Sequence, residues 1–430
     1  MFNWETCTVD FANAFVQAEL TDSVFMHLPR GFQSELKGKS CLKLNKSIYG
    51  LSVAPRLWFK HLLAALELEG FKQSKHDPCL LTRHDMLIIM YVDDLGLAAE
   101  KQDTIDLLID NLRKKKFDLT KEGSFSEYLG IKYEEIEDGK IRMTQKGLIK
   151  KILQATGMDD CNPNWVPAAK TPLSKDEDGL DMTEEWNYRS IVGMMLYLTS
   201  NTRPDIAYSV SQVARFSHFP KQSHSAAVKT IVRYLARTRD QGTLYCRPTN
   251  LSVDCYVDAD FAGLYGTENP DDPISAKSRS GYILSIGGCY LFCKSQLQTT
   301  IALSTSEAEY YALSQAMRAV LPMREFLKEI IDELDLPSNY NQIQSSVFKN
   351  FETTVHEDNS SALNLATKQK VTSRTKHYLV KYHFFWYHIN MPKNNIKVVR
   401  VPTEEQRADY LTKGLTRDVF QNCRLLNQGW

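Results

Sequence analysis

Two sets of acidic residues have the type and placement needed for phosphoryl or nucleotidyl transfer. This chemistry needs charge stabilisation at the attacking and leaving oxygens, which divalent cations held by carboxylates supply. Mg²⁺ prefers hard oxygen ligands, so Asp and Glu suit it better than His or Cys. The first set joins Asp93 and Asp94, at the tip of a hairpin predicted between MLIIMYV and LGLAA, to Asp10 at the end of a predicted strand. Taken alone, an Asp-Asp pair is better explained as turn chemistry.

The second set is spread over about 150 residues, and its predicted placement is what singles it out. Asp258 lies on a predicted strand, and Glu309 lies in the first turns of a helix predicted from about Ser304 to Leu334. Asp358 ends a strand predicted over 353–357, and Asp409 lies on a helix predicted over 404–412. Any one of these residues alone is as well explained as a solvated surface acid.

Predicted strands and helices that would position these residues run along the whole chain. Helical periodicity is clear from Trp58 to Leu68 and from Thr104 to Phe117, and 132–145 predicts a hairpin that turns at Asp138-Gly139. Residues 160–185 are rich in Pro, Asp and Lys and indicate a linker, followed by a mainly helical stretch over 186–240. A β-rich start at LSVDCYVDAD, followed by alternating strands and helices, is typical of a compact α/β domain.

Composition indicates an ordinary globular protein of two to four domains, with 430 residues and 43% hydrophobic content. The formal net charge of zero counts mildly against nucleic-acid binding. Basic residues nevertheless cluster at Arg113 to Lys116 and between Lys368 and His377, and a local stripe of positive charge is enough to neutralise phosphates. Each cluster is equally a solvated surface.

Membrane and secretory features are not expected. The longest apolar runs are too short to span a bilayer, and the first residues lack the basic and apolar regions of a signal peptide. Of nine scattered cysteines, only Cys289 and Cys293 lie close together, and no second pair completes a zinc site. This pattern favours reduced thiols in an intracellular protein.

Several motifs together resemble the reverse transcriptase of copia-type retrotransposons. They are VDFANAFVQAELTDSVFMHLPRGF from residue 9, CLKLNKSIYGLSVAPRLWF from residue 41 and YVDDL from residue 91. FSEYLGIKYE, TQKGLIKKIL and the long stretch from YRSIVGMMLYLTS to VRYLARTRDQG continue the resemblance, so that it covers nearly the whole chain.

The resemblance implies a polymerase palm in which Asp10, Asp93 and Asp94 bind two magnesium ions. Phe15 matches the aromatic position that excludes a ribose 2′-OH, although without the resemblance a core aromatic is the better interpretation. Arg56 matches a nucleotide-binding arginine, with a structural ion pair as its alternative role. Members of the family carry a fingers subdomain before the first catalytic strand, whereas nine residues precede Asp10 here.

A second departure concerns the incoming nucleotide. Ser52-Val53 stand where the family has Lys-Gln, and valine cannot make the hydrogen bond that the glutamine makes. The resemblance therefore implies a palm with truncated fingers and weak or absent DNA synthesis from this chain alone.

The second acidic set resembles the RNase H domain of the same elements. The matching stretches are YVDADFAG, STSEAEYYAL, HEDNSSAL and VPTEEQRADYLTK, and they imply metal ligation by Asp258, Glu309, Asp358 and Asp409. Glu307 competes with Glu309, but the family pattern Glu-x-x-Ala-Leu selects Glu309. The basic segment that contains Arg374, Lys376 and His377 matches a contact for the RNA–DNA hybrid, with a solvent-facing loop as the alternative.

The fold class expected from the whole chain is α+β and α/β multidomain. Residues 1–160 would form the reverse transcriptase palm and the start of the thumb, 161–245 a linker with thumb and connection helices, and 250–430 an RNase H-like mixed-sheet domain. Each active site would use two ions, Mg²⁺ or Mn²⁺.

The implied partners are an RNA template, a DNA primer, RNA–DNA hybrids, deoxynucleoside triphosphates and other retrotransposon proteins, without a membrane. The implied location is intracellular, in cytoplasmic virus-like particles or the nucleus. The alternatives are an inactive or domesticated nucleic-acid-binding relic and, against the order of the motifs, an integrase.

Overall fold

The chain is described by a computed structural model over residues 4–31, 38, 41–246, 252–269, 271–334, 352–368, 380, 383–391 and 394–430. It divides into two compact units. Unit 1 comprises Met1–Tyr128 with Phe326–Pro337, and unit 2 comprises Leu129–Glu325 with Ser338–Trp430. The division falls after Tyr128, whereas the boundaries derived from sequence lie near 160 and 245, and those domain assignments stay predictions.

Unit 1 is built on one antiparallel sheet with helices packed against it. Its elements are β1 (Glu5–Phe11), α1 (Ala14–Gln17), β2 (Glu19–His27), β3 (Cys41–Lys46), α2 (Ala54–Leu68), β4 (Lys72–Gln73), β5 (Leu80–Arg83), β6 (Met86–Tyr91), β7 (Asp94–Ala99), α3 (Gln102–Lys114), β8 (Leu119–Gly123) and β9 (Glu127–Tyr128). Six strands pair in the order β4-β5-β6-β7-β1-β8, and β2 pairs with β3 separately.

Helix α2 shows why this layer forms. Proline lies in its first turn, where its missing N–H costs nothing, and Trp58, Leu62 and Leu66 recur on one buried face. Their neighbours in a single apolar cluster include Phe11 of β1 and Leu108 of α3. This cluster holds β1, which lies between β7 and β8 and carries Asp10 near its end.

Unit 2 contains helices, a short β-ribbon and a mixed sheet. Its elements are β10 (Ile131–Ile136), β11 (Lys140–Thr144), α4 (Lys146–Thr156), α5 (Tyr188–Asn201), α6 (Ala207–Ala214), α7 (Gln222–Arg237), β12 (Thr243–Tyr245), β13 (Val253–Asp260), β14 (Arg279–Ile286), β15 (Cys289–Leu297), α8 (Thr305–Glu333), β16 (Thr353–Glu357), α9 (Ser360–Thr367), α10 (Trp386–Asn390), β17 (Ile396–Arg400) and α11 (Arg417–Gln428). The end of α8, from Phe326, belongs to unit 1.

The mixed sheet has the strand order β15-β14-β13-β16-β17. The pairs β13–β14 and β14–β15 are antiparallel, whereas β13–β16 and β16–β17 are parallel. Helices α4 to α7 share one apolar cluster with residues of β14, β15 and α11, including Ile231, Ile283 and Phe420. The mixed α/β class expected from sequence is confirmed, while the palm, thumb and RNase H-like assignments stay predictions.

One sequence-based expectation is wrong. The segment predicted as a helix over 404–412 forms two 3₁₀ turns, Thr403–Glu405 and Asp409–Leu411. The side chain of Gln406 is the reason, because its Oε1 accepts the Ala408 N–H at 3.2 Å and its Nε2 donates to the Val257 carbonyl at 2.8 Å. The last α-helix is α11, which the sequence reading missed.

Candidate active site

Three acidic side chains from separate elements converge in unit 2. Asp258 comes from β13, Glu309 from the first turns of α8, and Asp358 directly follows β16. Each offers a carboxylate oxygen, and these oxygens all lie within 4.8 Å of one another. In the described part of the chain, this is the one group of three His, Cys, Asp or Glu residues that meets the distance.

Local structure fixes each of these three residues. Parallel pairing of β13 with β16 brings their carboxyl ends to the same edge of the sheet. Asn359 caps α9, its side chain accepting the N–H groups of Ser361 and Ala362, so the chain turns sharply just after Asp358. The strand, the carboxylate and the cap therefore follow one another without a flexible connection.

Asp409 joins the cluster from the second 3₁₀ turn. Its carboxylate oxygen Oδ1 lies 2.9 Å from the Lys413 ammonium, and its charge interacts with Asp258 and Asp358. The hydroxyl of Thr412 donates a hydrogen bond to Oδ2 of Asp258. Gly281, opposite Asp258 on β14, permits this approach, since a Cβ there would lie 2.7 Å from the Thr412 methyl carbon.

The structure separates the two competing glutamates. Glu307 accepts the backbone N–H of Leu303 at 2.9 Å and so serves the start of α8. Glu309 lies two residues further along α8 and is the one that joins the acidic group. The geometry supports the choice of Glu309, whose catalytic role stays a prediction.

The cluster is rich in buried negative charge. Burial, followed by the charges of Glu357, Asp258 and Asp358, raises the pKa of Glu309 well above its ordinary value. Burial and the Asp258 charge likewise raise the pKa of Asp358, and they raise the pKa of Asp409 to about 6. Oxygen Oε2 of Glu309 is buried without a hydrogen-bond partner. Hard oxygen ligands, an orphaned oxygen and excess negative charge together fit a divalent cation.

Glu357 is a member of this neighbourhood that the sequence reading missed. Its side chain is fully buried, one oxygen accepts the Asn359 N–H at 3.0 Å and the other has no partner. Burial, followed by the charges of Asp358 and Asp258, raises its pKa well above the ordinary value. The alternation of buried positions along β16 places Glu357 on the same face as Thr353 and Val355, and this period-2 pattern was the available signal.

Asp10, Asp93 and Asp94 are arranged differently in unit 1. Asp10 pairs directly with Asp94 across β1 and β7. Val92 and Asp93 form the turn of the hairpin, and Val92 has a φ of 52°, which is strained for a β-branched residue. Oδ2 of Asp93 accepts the Tyr49 hydroxyl at 3.1 Å.

Electrostatic coupling in unit 1 links these carboxylates more loosely. Burial, followed by the charges of Asp10 and Asp93, raises the pKa of Asp94. Among the described residues, however, the three do not form a group whose ligand oxygens all lie within 4.8 Å. Asp10 pairs with Asp94 across the two strands, while Asp93 lies half-buried in the turn.

Comparison with known proteins identifies the family. Residues 1–170 match the family model described as reverse transcriptase (RNA-dependent DNA polymerase). The Pol polyprotein from transposon RE1 of Arabidopsis thaliana is 32% identical over 98% of this chain, and that from transposon TNT 1-94 of Nicotiana tabacum is 31% identical over 97%. The chain belongs to the copia-type retrotransposon Pol family. It spans 27% and 30% of the length of these two polyproteins.

Solved structures add only a weak likeness. The RNase H1 called LC11, from compost, covers 40% of the copia-type chain at 16% identity, with a TM-score of 0.22. The N-terminal RNase H domain of rv2228c from Mycobacterium tuberculosis covers the same share at 15% identity, with a TM-score of 0.24.

The remaining residues singled out by the copia-type motifs differ in their surroundings: one is buried, one is exposed and three lie outside the described residues. Phe15 is 9% exposed and packs against Tyr49, with ring centres 4.5 Å apart. Arg56 lies exposed on α2, and no described carboxylate comes within the 4.0 Å of its guanidinium that an ion pair requires. Arg374, Lys376 and His377 lie outside the described residues. Within the described residues, none of the helices has the length and apolar character needed to cross a bilayer.

Proposed function

We propose that the acidic cluster of unit 2 is a ribonuclease H active site that cleaves the RNA strand of RNA–DNA hybrids. The observation that carries the proposal is the convergence of Asp258, Glu309 and Asp358 within 4.8 Å, with Asp409 coupled to them. The order of five strands, three antiparallel and then two parallel, supports an RNase H-like fold for this sheet.

Divalent cations of the kind that reverse transcriptase and RNase H families use would be held by these four carboxylates. Two such ions, Mg²⁺ or Mn²⁺, would activate water and neutralise charge on the phosphodiester. The protein's own groups orient the ligands: the Thr412 hydroxyl fixes Asp258, and the Lys413 ammonium holds Asp409. Burial excludes bulk water and strengthens each of these interactions.

We also propose that unit 1 contains the catalytic centre for RNA-directed DNA synthesis. The family match over residues 1–170 and the pairing of Asp10 with Asp94 support this assignment. Asp10, Asp93 and Asp94 would hold two ions, with Phe15 and Arg56 beside the incoming nucleotide. Synthesis by this chain would be weak, because Val53 offers no hydrogen bond to that nucleotide.

The substrates that follow are an RNA template, a DNA primer, deoxynucleoside triphosphates and the resulting hybrid. Selectivity for the hybrid would come from groove shape and 2′-OH contacts rather than from base edges. We place this activity inside the cell, in virus-like particles or the nucleus, together with other retrotransposon proteins.

A hybrid-cleavage assay on the wild type and Asp358→Asn tests the nuclease proposal. The substitution keeps the shape of the side chain but removes a charge that would bind the cation, so cleavage in Mg²⁺ or Mn²⁺ should fall by at least about a hundredfold. Asp271→Asn is the matched control on an exposed loop and should cleave as the wild type does. If Asp358→Asn cuts equally well, the relic interpretation replaces this one.

A further inference from the structure

Trp165 lies between two arginines in unit 2. The guanidinium carbon of Arg237 is 3.0 Å from the centre of the Trp165 ring, and that of Arg417 is 3.3 Å from it. Two groups this close to one ring centre would collide if they shared a face, so they occupy opposite faces. The indole is thus enclosed by two positive charges, an arrangement stabilised by cation–π attraction.

Three distant parts of the chain build this stack. Trp165 comes from the segment between α4 and α5, Arg237 ends α7, and Arg417 begins α11. The N–H of Asn164 donates to the Arg233 carbonyl at 3.1 Å, which ties the segment to α7. At Gly414, a Cβ would lie 1.9 Å from the Ala169 carbonyl oxygen, so the segment also runs tightly against the chain just before α11.

Both guanidiniums remain available for a ligand. Each side chain is exposed, and within the described residues no carboxylate lies within 4.0 Å of either one, although Asp159, Asp160 and Asp418 are near in sequence or in the adjoining cleft. Stacking uses the flat face of a guanidinium and leaves the N–H donors on its edge free. Those donors match the oxygens of a phosphate in a bidentate arrangement.

The surroundings favour a phosphate chain over a single small anion. An open cleft of about 580 Å³ beside the stack is lined by Arg237 and Arg239, and by Asp159 and Asp160 as well. Arg233 is also exposed, one helical turn before Arg237. Thr416 makes no side-chain capping bond at the start of α11, so the first N–H groups of that helix also favour negative charge. Several positive groups over an extended surface suit repeated phosphates.

The stack lies close enough to the acidic cluster to share one duplex with it. Arg417 follows Asp409 by eight residues, so their Cα atoms are at most about 29 Å apart even if the chain is fully extended. At about 3.4 Å per base pair, that span corresponds to fewer than nine base pairs.

We propose that Arg237 and Arg417, held on the two faces of Trp165, form an anchor for the phosphate backbone of nucleic acid. This anchor is separate from the acidic cluster. The proposal rests on the proposed function in one respect, which is that the nucleic acid bound is an RNA–DNA hybrid. Sequence readout is not expected from it, because phosphate contacts position a duplex without reading its bases.

The test is equilibrium binding of the full chain to a fluorescent eighteen-base-pair RNA–DNA hybrid in EDTA, from low to high salt. Arg237→Gln with Arg417→Gln should weaken binding about tenfold at moderate salt. The slope of log affinity against log salt should become shallower by about 2, since two phosphate contacts are lost. Lys150→Gln with Lys151→Gln, two exposed charges on α4, is the matched control and should change both quantities much less.

The anchor is overturned if the lysine pair changes affinity and slope as much as the arginine pair does, or if the arginine pair leaves the slope unchanged. The stack would then only attach residues 160–185 to α7 and α11. If the double variant does not fold, each single arginine variant should make the slope shallower by about 1, and no change there overturns the proposal equally. Binding in EDTA needs no cleavage, so an inactive wild type with the expected slopes would refute the nuclease proposal and retain the anchor.

Discussion

The two acidic sets differ in how far the protein has removed their carboxylates from water. In unit 2, Asp258, Glu309 and Asp409 are 3%, 4% and 7% exposed, and the pKa values of the last two are raised. In unit 1, Asp10, Asp93 and Asp94 are each half-buried, and burial raises the pKa of Asp94. Burying like charges together is costly unless something positive compensates them. Bound cations would therefore stabilise the acidic cluster of unit 2 more than they would stabilise the acidic set of unit 1.

The largest expected effect separates two neighbouring glutamates. Glu309→Gln should lower hybrid cleavage by at least about a hundredfold, because it removes a charge from the group that would bind the metal. Glu307→Gln is the matched variant, since Glu307 accepts a backbone N–H at the start of α8. It should retain cleavage within about threefold and lower the melting temperature by about 2–4 °C. The distinction fails if both variants lose cleavage equally, as measured by initial rates.

A second expectation separates the two activities. Asp94→Asn should reduce primer extension at least about tenfold and leave hybrid cleavage within about twofold, since Asp94 belongs to the set of unit 1. Asp258→Asn should do the opposite. Both assays are run on both variants in the same buffer. Loss of both activities in either variant would mean that the two sets do not act independently, or that the substitution disrupts folding, which a melting curve distinguishes.

A smaller effect concerns pH and metal together. Burial raises the pKa of Asp409 in the folded protein from an ordinary 3.8 to about 6, so the folded state holds this proton more tightly than the unfolded state does. Without metal, the contribution of this group to the free energy of unfolding should therefore fall as pH rises from about 4 through about 6.

Divalent ions bind the deprotonated carboxylates, so their stabilising effect should have the opposite pH trend. Addition of Mg²⁺ should raise the melting temperature by a few degrees at pH 8 and by clearly less at pH 5. The measurement is a thermal melt at each pH with Mg²⁺ or with EDTA. Equal shifts at the two pH values would indicate that metal binds elsewhere.

Much of the positioning of the candidate site follows from sequence patterns. Alternation along β13, the strand ending before Asp358 and the helix starting near Glu309 all have the expected places in the structure. The YVDD hairpin is likewise formed by β6 and β7. These features depend on local periodicity and turn chemistry, which a single sequence displays directly.

The features that were missed depend on tertiary contacts. Gln406 breaks the expected helix over 404–412 by bonding to Val257, about 150 residues away in the chain. Glu357 is fully buried on β16, which lies between β13 and β17, although a charged residue in a strand would ordinarily face solvent. The role of Thr412 requires Gly281 opposite Asp258, which no local pattern reveals.

Whether the acidic cluster of unit 2 binds a divalent cation can be measured by electron paramagnetic resonance of Mn²⁺ on the full chain without nucleic acid. Asp258 is the residue to substitute, because its charge contributes to the raised pKa values of Glu309, Asp358 and Asp409. Asp254→Asn is the control, since Asp254 lies on the same strand but bonds to His356 at 2.9 Å. We expect Asp258→Asn to lose bound Mn²⁺ and Asp254→Asn to bind it as the wild type does. Unchanged Mn²⁺ binding by Asp258→Asn would show that the acidic cluster does not hold the cation.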